Sequence, residues 1–276
     1  MVTNKKQTLL DKLGTIVGEK SKIGKLISGY RKLEEANYIS SHFSAYLTPV
    51  VATSEALKNN VFAIRHEVYC EELGFEPIKE NRLEFDEFDS FSLHCLIQHH
   101  KSKHFAGTVR MVRPTEANEQ LPIEKYCLKS ITRKDLDPRR FERKDICEIS
   151  RLAVPKEFRR RVMDKFAGAG VAVINEHTYS EKEVRCFPFI AVGLYLAAAA
   201  LAIEKDIKHA YVMMEPRLAR SMKFIGIKFE QIGPVVDYHG KRAPYYINKA
   251  LLQKSLRPGF AKMLNDILDS IGAQRF

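Results

Sequence analysis

No stretch of the 276 residues reaches the roughly 18–20 uninterrupted apolar residues that a membrane span needs. The longest candidate, Phe187 to Ile203, is Ala-rich, carries Pro188 and Gly193, and reads as a buried helix. The opening "MVTNKKQTLLDKLG" has no continuous apolar region and no small-residue cleavage site, so a secretory signal is not expected. Cysteine is scarce. The five residues, at 70, 95, 127, 147 and 186, show no C-x-x-C pairing, which argues against a disulfide framework or a zinc site. They read as small buried hydrophobes in a reducing cytoplasm. Zinc-finger spacing, an RNA-binding aromatic strand motif and a clear helix-turn-helix are also missing, so nucleic acid is not an expected partner. There is no internal repeat and no low-complexity segment.

What remains is the composition of a globular protein, 45% apolar and 29% charged. The net charge of +11 asks for an acidic partner, and anionic lipid or an acidic carrier protein qualifies. Residues 8–35 set Leu, Ile, Val and Tyr at roughly helical spacing with lysines in the gaps. That basic amphipathic pattern suits either the membrane surface or packing on the protein's own domain. Three segments follow: a basic amphipathic helical arm over 1–53, the main domain over 54–250, and a C-terminal helix over 251–276.

"SEALKNNVFAIRHEVYCEEL" opens on Ser54 as an N-cap and carries a helical stripe through Leu57, Val61, Ile64 and Val68. A polar loop is expected to run to Ser90. "LHCLIQHH" and "FAGTVRMVR" predict a hairpin about the turn "KSK". Helical segments are expected near 122–141, then a strand, "ICEISRLAV", then helices over "EFRRRVMDKFAGAGVAVINEH" and Ile190–Lys205. "HAYVMM" and "IKFEQIG" read as strands around a short helix that starts at Pro216. "YHGKRAPYYIN" reads as a closing hairpin and "FAKMLNDILDSIG" as a final helix. The fold class is α/β, a mixed central sheet flanked by helices, with N- and C-terminal helical arms.

Charge appears where a buried strand should be apolar. "ICEISRLAV" carries Glu148, Ser150 and Arg151, and taking charges out of water costs several kcal/mol each unless they are paired. Arg65, Asp86, Asp89 and Arg110 are similarly misplaced. Together they supply three acids and three guanidiniums that can neutralise one another around one cleft, since the planar fork of arginine binds carboxylates bidentately. Strict alternation puts Glu148 and Ser150 on one face and Arg151 on the other, unless a bulge re-aims Arg151.

The stretches "IRHEVYCEELGF", "EFDEFD", "GTVRMVRPT" and "EISRLAV" resemble, in order and spacing, the pattern of the autoinducer (acyl-homoserine-lactone) synthases and the long-chain N-acyl amino acid synthases. Through "LP" near 121, "FRRR", "GLYLA", "EPRLAR" and "GP…YHG…APYY", residues 54–250 resemble more closely the acyltransferases associated with the PEP-CTERM/exosortase system. All are similar to the GCN5-related N-acetyltransferase (GNAT) fold.

The resemblance implies a cytoplasmic enzyme, peripheral at the inner membrane surface if the N-terminal helix lies there. It would move a fatty acyl group from acyl carrier protein or CoA to the amine of an amino acid or similar acceptor, with no tightly bound cofactor and no metal. Glu148 and Ser150 are the implied catalytic positions, Glu148 as the base that takes the amine proton. Arg65, Tyr69, Phe75, Asp86, Asp89, Arg110 and Arg151 match the polar set and walls of the family's cleft. Tyr69 and Phe75 stand where the family has Phe and Trp. One of the three arginines is expected to bind the acceptor carboxylate. Backbone groups of Leu152, Ala153 and Val154 would face the thioester and pantetheine arm. GNAT enzymes cradle the CoA pyrophosphate on a glycine-rich turn. Here that stretch is "PKEFRRRVMD", without glycine, which favours acyl carrier protein, with its single phosphate, as donor. Arg159, Arg160 and Arg161 would meet the acidic face of that carrier. The Ala-rich helix 194–203 would line an acyl tunnel or simply pack tightly. Two further readings stay open: an autoinducer synthase using S-adenosylmethionine, and a non-catalytic module that binds acyl chains or a carrier protein.

Overall fold

The structure, a computed structural model, describes residues 38, 40–158 and 188–276. The basic pattern over 8–35, Arg159–Arg161 and the helix expected after them lie outside the described residues.

Strands β1 (Leu47–Val51), β2 (Ser92–His99), β3 (Phe105–Val112), β4 (Ile146–Ala153), β5 (His209–Met214), β6 (Glu230–Gln231), β7 (Val236–Asp237) and β8 (Lys241–Ile247) form the sheet. Its order is β1-β2-β3-β4-β5-β8-β6, with β7 paired to β8. Among the described residues only β4 and β5 run parallel. Residues 40–46 are helical, and after β1 come the α-helices α1 (Glu55–Arg65), α2 (Pro122–Cys127), α3 (Pro188–Glu204), α4 (Pro216–Ile225), α5 (Lys249–Ser255) and α6 (Pro258–Gly272).

Each face of the sheet has its own cover. On one face, α3 and α6 bury Leu194, Ala197, Ala198, Leu201, Met263 and Ile267 against Cys147, Ile149, Val109 and Met111. The packing is close: a Cβ on Gly193 would meet the Phe43 ring at 2.5 Å, and one on Gly107 would meet Leu194 Cδ1 at 2.8 Å. On this sheet-facing side the small residues of α3 serve tight packing. The other face carries two apolar clusters. Val61, Ile64 and Val68 cover Leu96 and Ala153, while Ile123, Cys127 and Phe88 cover Val112, Ile146 and Tyr211.

The expected strands, the hairpin and α4 are present, with Pro216 in the first turn of α4. Several boundaries differ. Helix α1 does not run on to Leu73; it gives way to a π-helix over His66–Glu72. The loop expected to reach Ser90 contains a 3-10 helix, Glu87–Phe91, because Asp86 and Asp89 form a capping box there. Between 122 and 141 only α2 is α-helical, and short 3-10 turns follow. "IKFEQIG" pairs over Glu230–Gln231 alone. There the chain leaves the edge, its Ile232 carbonyl accepting from the Thr132 and Arg133 N–H groups instead.

The segment limits also need correction. β1 belongs to the sheet, so the first 53 residues are not wholly an arm. The C-terminal segment holds part of α5 and all of α6, and the latter supplies Phe260, Met263, Leu264, Ile267 and Ile271 to the main core. Cys70, Cys95, Cys127 and Cys147 are buried and free. Among the described residues no helix is long and apolar enough to cross a membrane.

Candidate active site

Between the two apolar clusters of the α1 face lies a buried ionic network. Arg65, the last residue of α1, is fully buried and forks onto Asp89, with Nη1–Oδ1 at 2.7 Å and Nη2–Oδ2 at 3.1 Å. Its Nε donates to Glu84 at 2.5 Å. Arg110, buried on β3, donates to Asp86 at 2.6 Å, to Asp89 at 3.0 Å and through Nε to Ser150 Oγ at 3.0 Å. Arg151 reaches Glu76 at 2.8 Å, and Glu84 and Asp86 at 3.3 Å each. Three guanidiniums thus meet four carboxylates.

Local sequence explains the convergence. In "EFDEFD" the Asp86 side chain accepts from Phe88 N–H at 3.0 Å, and Asp89 accepts from Asp86 N–H at 2.7 Å. That capped turn aims both carboxylates at the arginines of α1 and β3. Burial works against the charge on Asp89, but Arg65 and Arg110 outweigh it and hold the carboxyl well below its usual range. Burial likewise opposes the charge on Arg65, and Asp89 and Glu84 overcome it, so the guanidinium titrates higher still. His94 on β2 lies 3.5 Å from Asp89 and edge-on to Phe62. Burial pushes its imidazole down to about 3, so it is neutral.

Glu148 stands apart from this network. Its buried carboxylate accepts the Ile123 N–H at 2.6 Å, one of the otherwise unpaired donors in the first turn of α2, just after the "LP" at 121–122. Burial raises it to about 8, against the opposing pull of that N–H and of Arg110. A carboxyl poised there exchanges a proton readily near neutral pH.

Beyond Glu148 the sheet opens. β4 pairs with β5 only from Ile146 to Glu148. On the other side, Arg110 faces Ser150 and Thr108 faces Ala153, so β4 carries an extra residue there. Arg151, with φ at 50°, takes up that bulge. The bulge turns Arg151 toward Glu76, Glu84 and Asp86, as the alternation argument requires. Tyr69, in the π-helix, braces it: the hydroxyl donates to the Leu152 carbonyl at 2.8 Å and the ring lies 5.4 Å from the Arg151 guanidinium. The Tyr69 carbonyl accepts from Phe75 and Glu76 N–H groups, at 2.8 and 3.2 Å. Phe75 in turn lies under Arg242 of β8, 5.7 Å from the ring centre, and beside His239.

Two expectations need correction. Arg65 and Arg110 are not free to bind an acceptor carboxylate, because both are buried and already paired. Arg151 keeps some exposure but has three acidic partners of its own. Ser150 accepts from a guanidinium, which cannot take its proton, so nothing in this pair activates it as a nucleophile. Leu152 is half-buried, while Ala153 and Val154 turn into different apolar clusters, so this stretch meets a ligand mainly through backbone. Two members of the network escaped the sequence reading. Glu84 is the first residue of the quoted "EFDEFD", where the E-x-D-x-x-D pattern marks it. Glu76, in "GFEPIKEN", carries no such signal. Among the described residues no group of three or more His, Cys, Asp or Glu side chains is placed to hold a metal.

Residues 64–168 match the acetyltransferase (GNAT) domain. No curated protein matches the chain. Among solved structures, the acyl-homoserine-lactone synthase LasI superposes with a TM-score of 0.51 at 15% identity, covering 76% of this chain and 96% of its own. FeeM, an N-acyl amino acid synthase from uncultured soil microbes, gives 0.51 and 15%, over 76% of this chain and 94% of its own. The opened β4–β5 pair, the bulge after Ser150 and the domain match together make the fold GNAT-like, a mixed sheet with flanking helices like that of the acyl-homoserine-lactone synthases.

Proposed function

We propose that the protein is an N-acyltransferase that passes a fatty acyl group from a pantetheine thioester to the amine of an amino acid or similar acceptor. The observation that carries this reading is the buried Glu148 carboxyl, raised to about 8, at the point where β4 parts from β5. A thioester laid along the bulge of β4 would present its carbonyl to backbone N–H groups there. Donors of that kind, aimed at the developing oxyanion, contribute a few kcal/mol. Holding amine and thioester together contributes still more.

The chemistry asks little else. The amine nitrogen attacks the thioester carbon, the C–N bond forms, and the C–S bond breaks with the pair leaving on sulfur. The ammonium-derived proton passes to ionised Glu148, directly or through a water, and on to solvent. The thiolate needs no strong acid to leave near neutral pH. The ionic network keeps the Asp86–Asp89 turn and Arg151 fixed around this opening; its own charges are spent on one another. Acyl carrier protein, engaged by Arg159–Arg161, is the donor this reading favours over CoA.

The test is purified protein with acyl thioesters of carrier protein and of CoA, together with pooled amino acids. Formation of an N-acyl amino acid supports the reading. Lactone release from S-adenosylmethionine would make the protein an autoinducer synthase. Tight carrier binding without thioester consumption would make it a binding module.

A further inference from the structure

We infer that Arg242 recognises the carboxylate of the acceptor, and that the acceptor class is therefore amino acids in their free-acid form. The inference rests on the acyl-transfer reading for its ligand and on the geometry of β8 for its residue.

Register places Arg242 at the opening. On β8, Ala243 pairs with Met214, the last residue of β5, and Arg242 is the next one out. Tyr246 pairs with Tyr211, and Tyr211 with Glu148, so these three share a face of the sheet. Two and four residues from Tyr246, Pro244 and Arg242 repeat that face. Arg242 thus lies on the side of the sheet that carries Glu148 and Ser150, across the gap from the bulge of β4. Its guanidinium sits over Phe75, whose N–H is tied to Tyr69. Loop and strand meet there.

Its bonding state is unlike that of the other arginines of the cleft. Arg65, Arg110 and Arg151 are each paired with two or more carboxylates. Arg242 has no ion pair among the described residues, and its Nε is buried without a hydrogen-bond partner. A buried donor left unmade is costly, and a carboxylate satisfies it with a charge-assisted, two-pronged bond. The charge pattern suits a zwitterion. The network holds one carboxylate more than it has guanidiniums, Glu76 lying next in sequence to the Phe75 under Arg242. Arg242 itself has no ion pair among the described residues. Its charge acts on Tyr69, Tyr195 and His239, which places those side chains near it.

The test uses binding, which does not need turnover. Titration calorimetry compares N-decanoylglycine with N-decanoylglycinamide, a pair that differs only in the carboxylate. The wild-type protein should prefer the acid by about tenfold or more, the worth of a hydrogen-bonded charge. Arg242→Gln should bring the two within about twofold by weakening the acid and leaving the amide unchanged. Arg242→Lys, which keeps charge without the fork, should fall between. A wild-type protein that does not discriminate overturns the inference, as does an Arg242→Gln protein that still does. If Arg242→Gln instead abolishes a preference for decanoyl-phosphopantetheine over decanoyl-pantetheine, the anion is the donor's phosphate and the inference also fails. Discrimination through Arg242 in a protein that consumes no thioester would sink the acyl-transfer reading and leave the ligand assignment standing.

Discussion

The Tyr69 hydroxyl donates to the Leu152 carbonyl across 2.8 Å, joining a π-helix to the one stretch of β4 that has no strand partner in register on either side. π-Helical turns are rare and gather at functional sites. This one rotates the side chain after Val68 so that ring and hydroxyl both reach the bulge. Phe would keep the ring over Arg151 and lose the bond.

Tyr69→Phe should therefore disturb the donor side specifically. The expected outcome is a donor KM raised about 5- to 10-fold, the worth of one hydrogen bond to a positioned carbonyl, with acceptor KM unchanged. Steady-state kinetics with acyl carrier protein thioester checks it. Equal donor KM in the two proteins would remove Tyr69 from donor positioning.

Arg65→Met removes the cation shared by Asp89 and Glu84 and leaves them only Arg110 at 3.0 Å and Arg151 at 3.3 Å, respectively. Removing one partner of a buried pair costs about 3–5 kcal/mol. Urea denaturation should show a loss of that size. Arg65→Lys restores charge without the fork and should recover only part of it. Loss below about 1 kcal/mol in Arg65→Met would mean that the network is far more hydrated than its burial implies.

The strands and the acidic motif were legible because each is written locally. The runs either side of "KSK" give β2 and β3, and E-x-D-x-x-D marks Asp86 and Asp89, though the capped turn that holds them lies in what the sequence reads as loop. The charges in "ICEISRLAV" flagged a buried site for the same local reason: they contradict their surroundings. What pairs with what was not legible. Arg65 meets Glu84 and Asp89 through a turn, but Arg151 meets Glu76 only because a π-helix and a bulge both insert a residue, and neither leaves a mark in hydrophobic periodicity. Arg242 sits in an ordinary hairpin sequence, and its interest comes from having no ion pair among the described residues, which only tertiary structure can reveal. The reverse error was to leave Arg65 and Arg110 available to a substrate. Their partners were in the quoted motif.

Glu148→Gln tests the base. A folded carboxyl at about 8 binds more protons than the unfolded chain across the window from its ordinary value, near 4.5, up to 8. Stability of the wild-type protein should thus fall as pH rises through that window, and the Gln variant should lack this contribution. Activity has the opposite sign. The ionised form accepts the amine proton, so kcat at saturating acceptor should rise with pH to a plateau above about 8. In Glu148→Gln that limb should vanish and the rate drop by about 10²- to 10⁴-fold. Unaltered rate and pH profile in the variant would exclude Glu148 as base.

Ser150→Ala separates a covalent mechanism from direct transfer. Were Ser150 an acyl carrier, its removal would abolish turnover, since the intermediate would have no oxygen to form on. The geometry argues for another role. Oγ accepts from Arg110 Nε at 3.0 Å, and Arg110 is held on its other edge by Asp86 and Asp89. Alanine leaves that Nε without its partner while the other two bonds keep the guanidinium in place. A loss of about 1–3 kcal/mol in stability is expected, with kcat within about tenfold of wild type. Mass spectrometry of the wild-type protein quenched during turnover should detect no acylated Ser150. An acyl-Ser150 adduct, together with an inactive alanine variant, would require a two-step transfer through serine and a base other than the one assigned to Glu148.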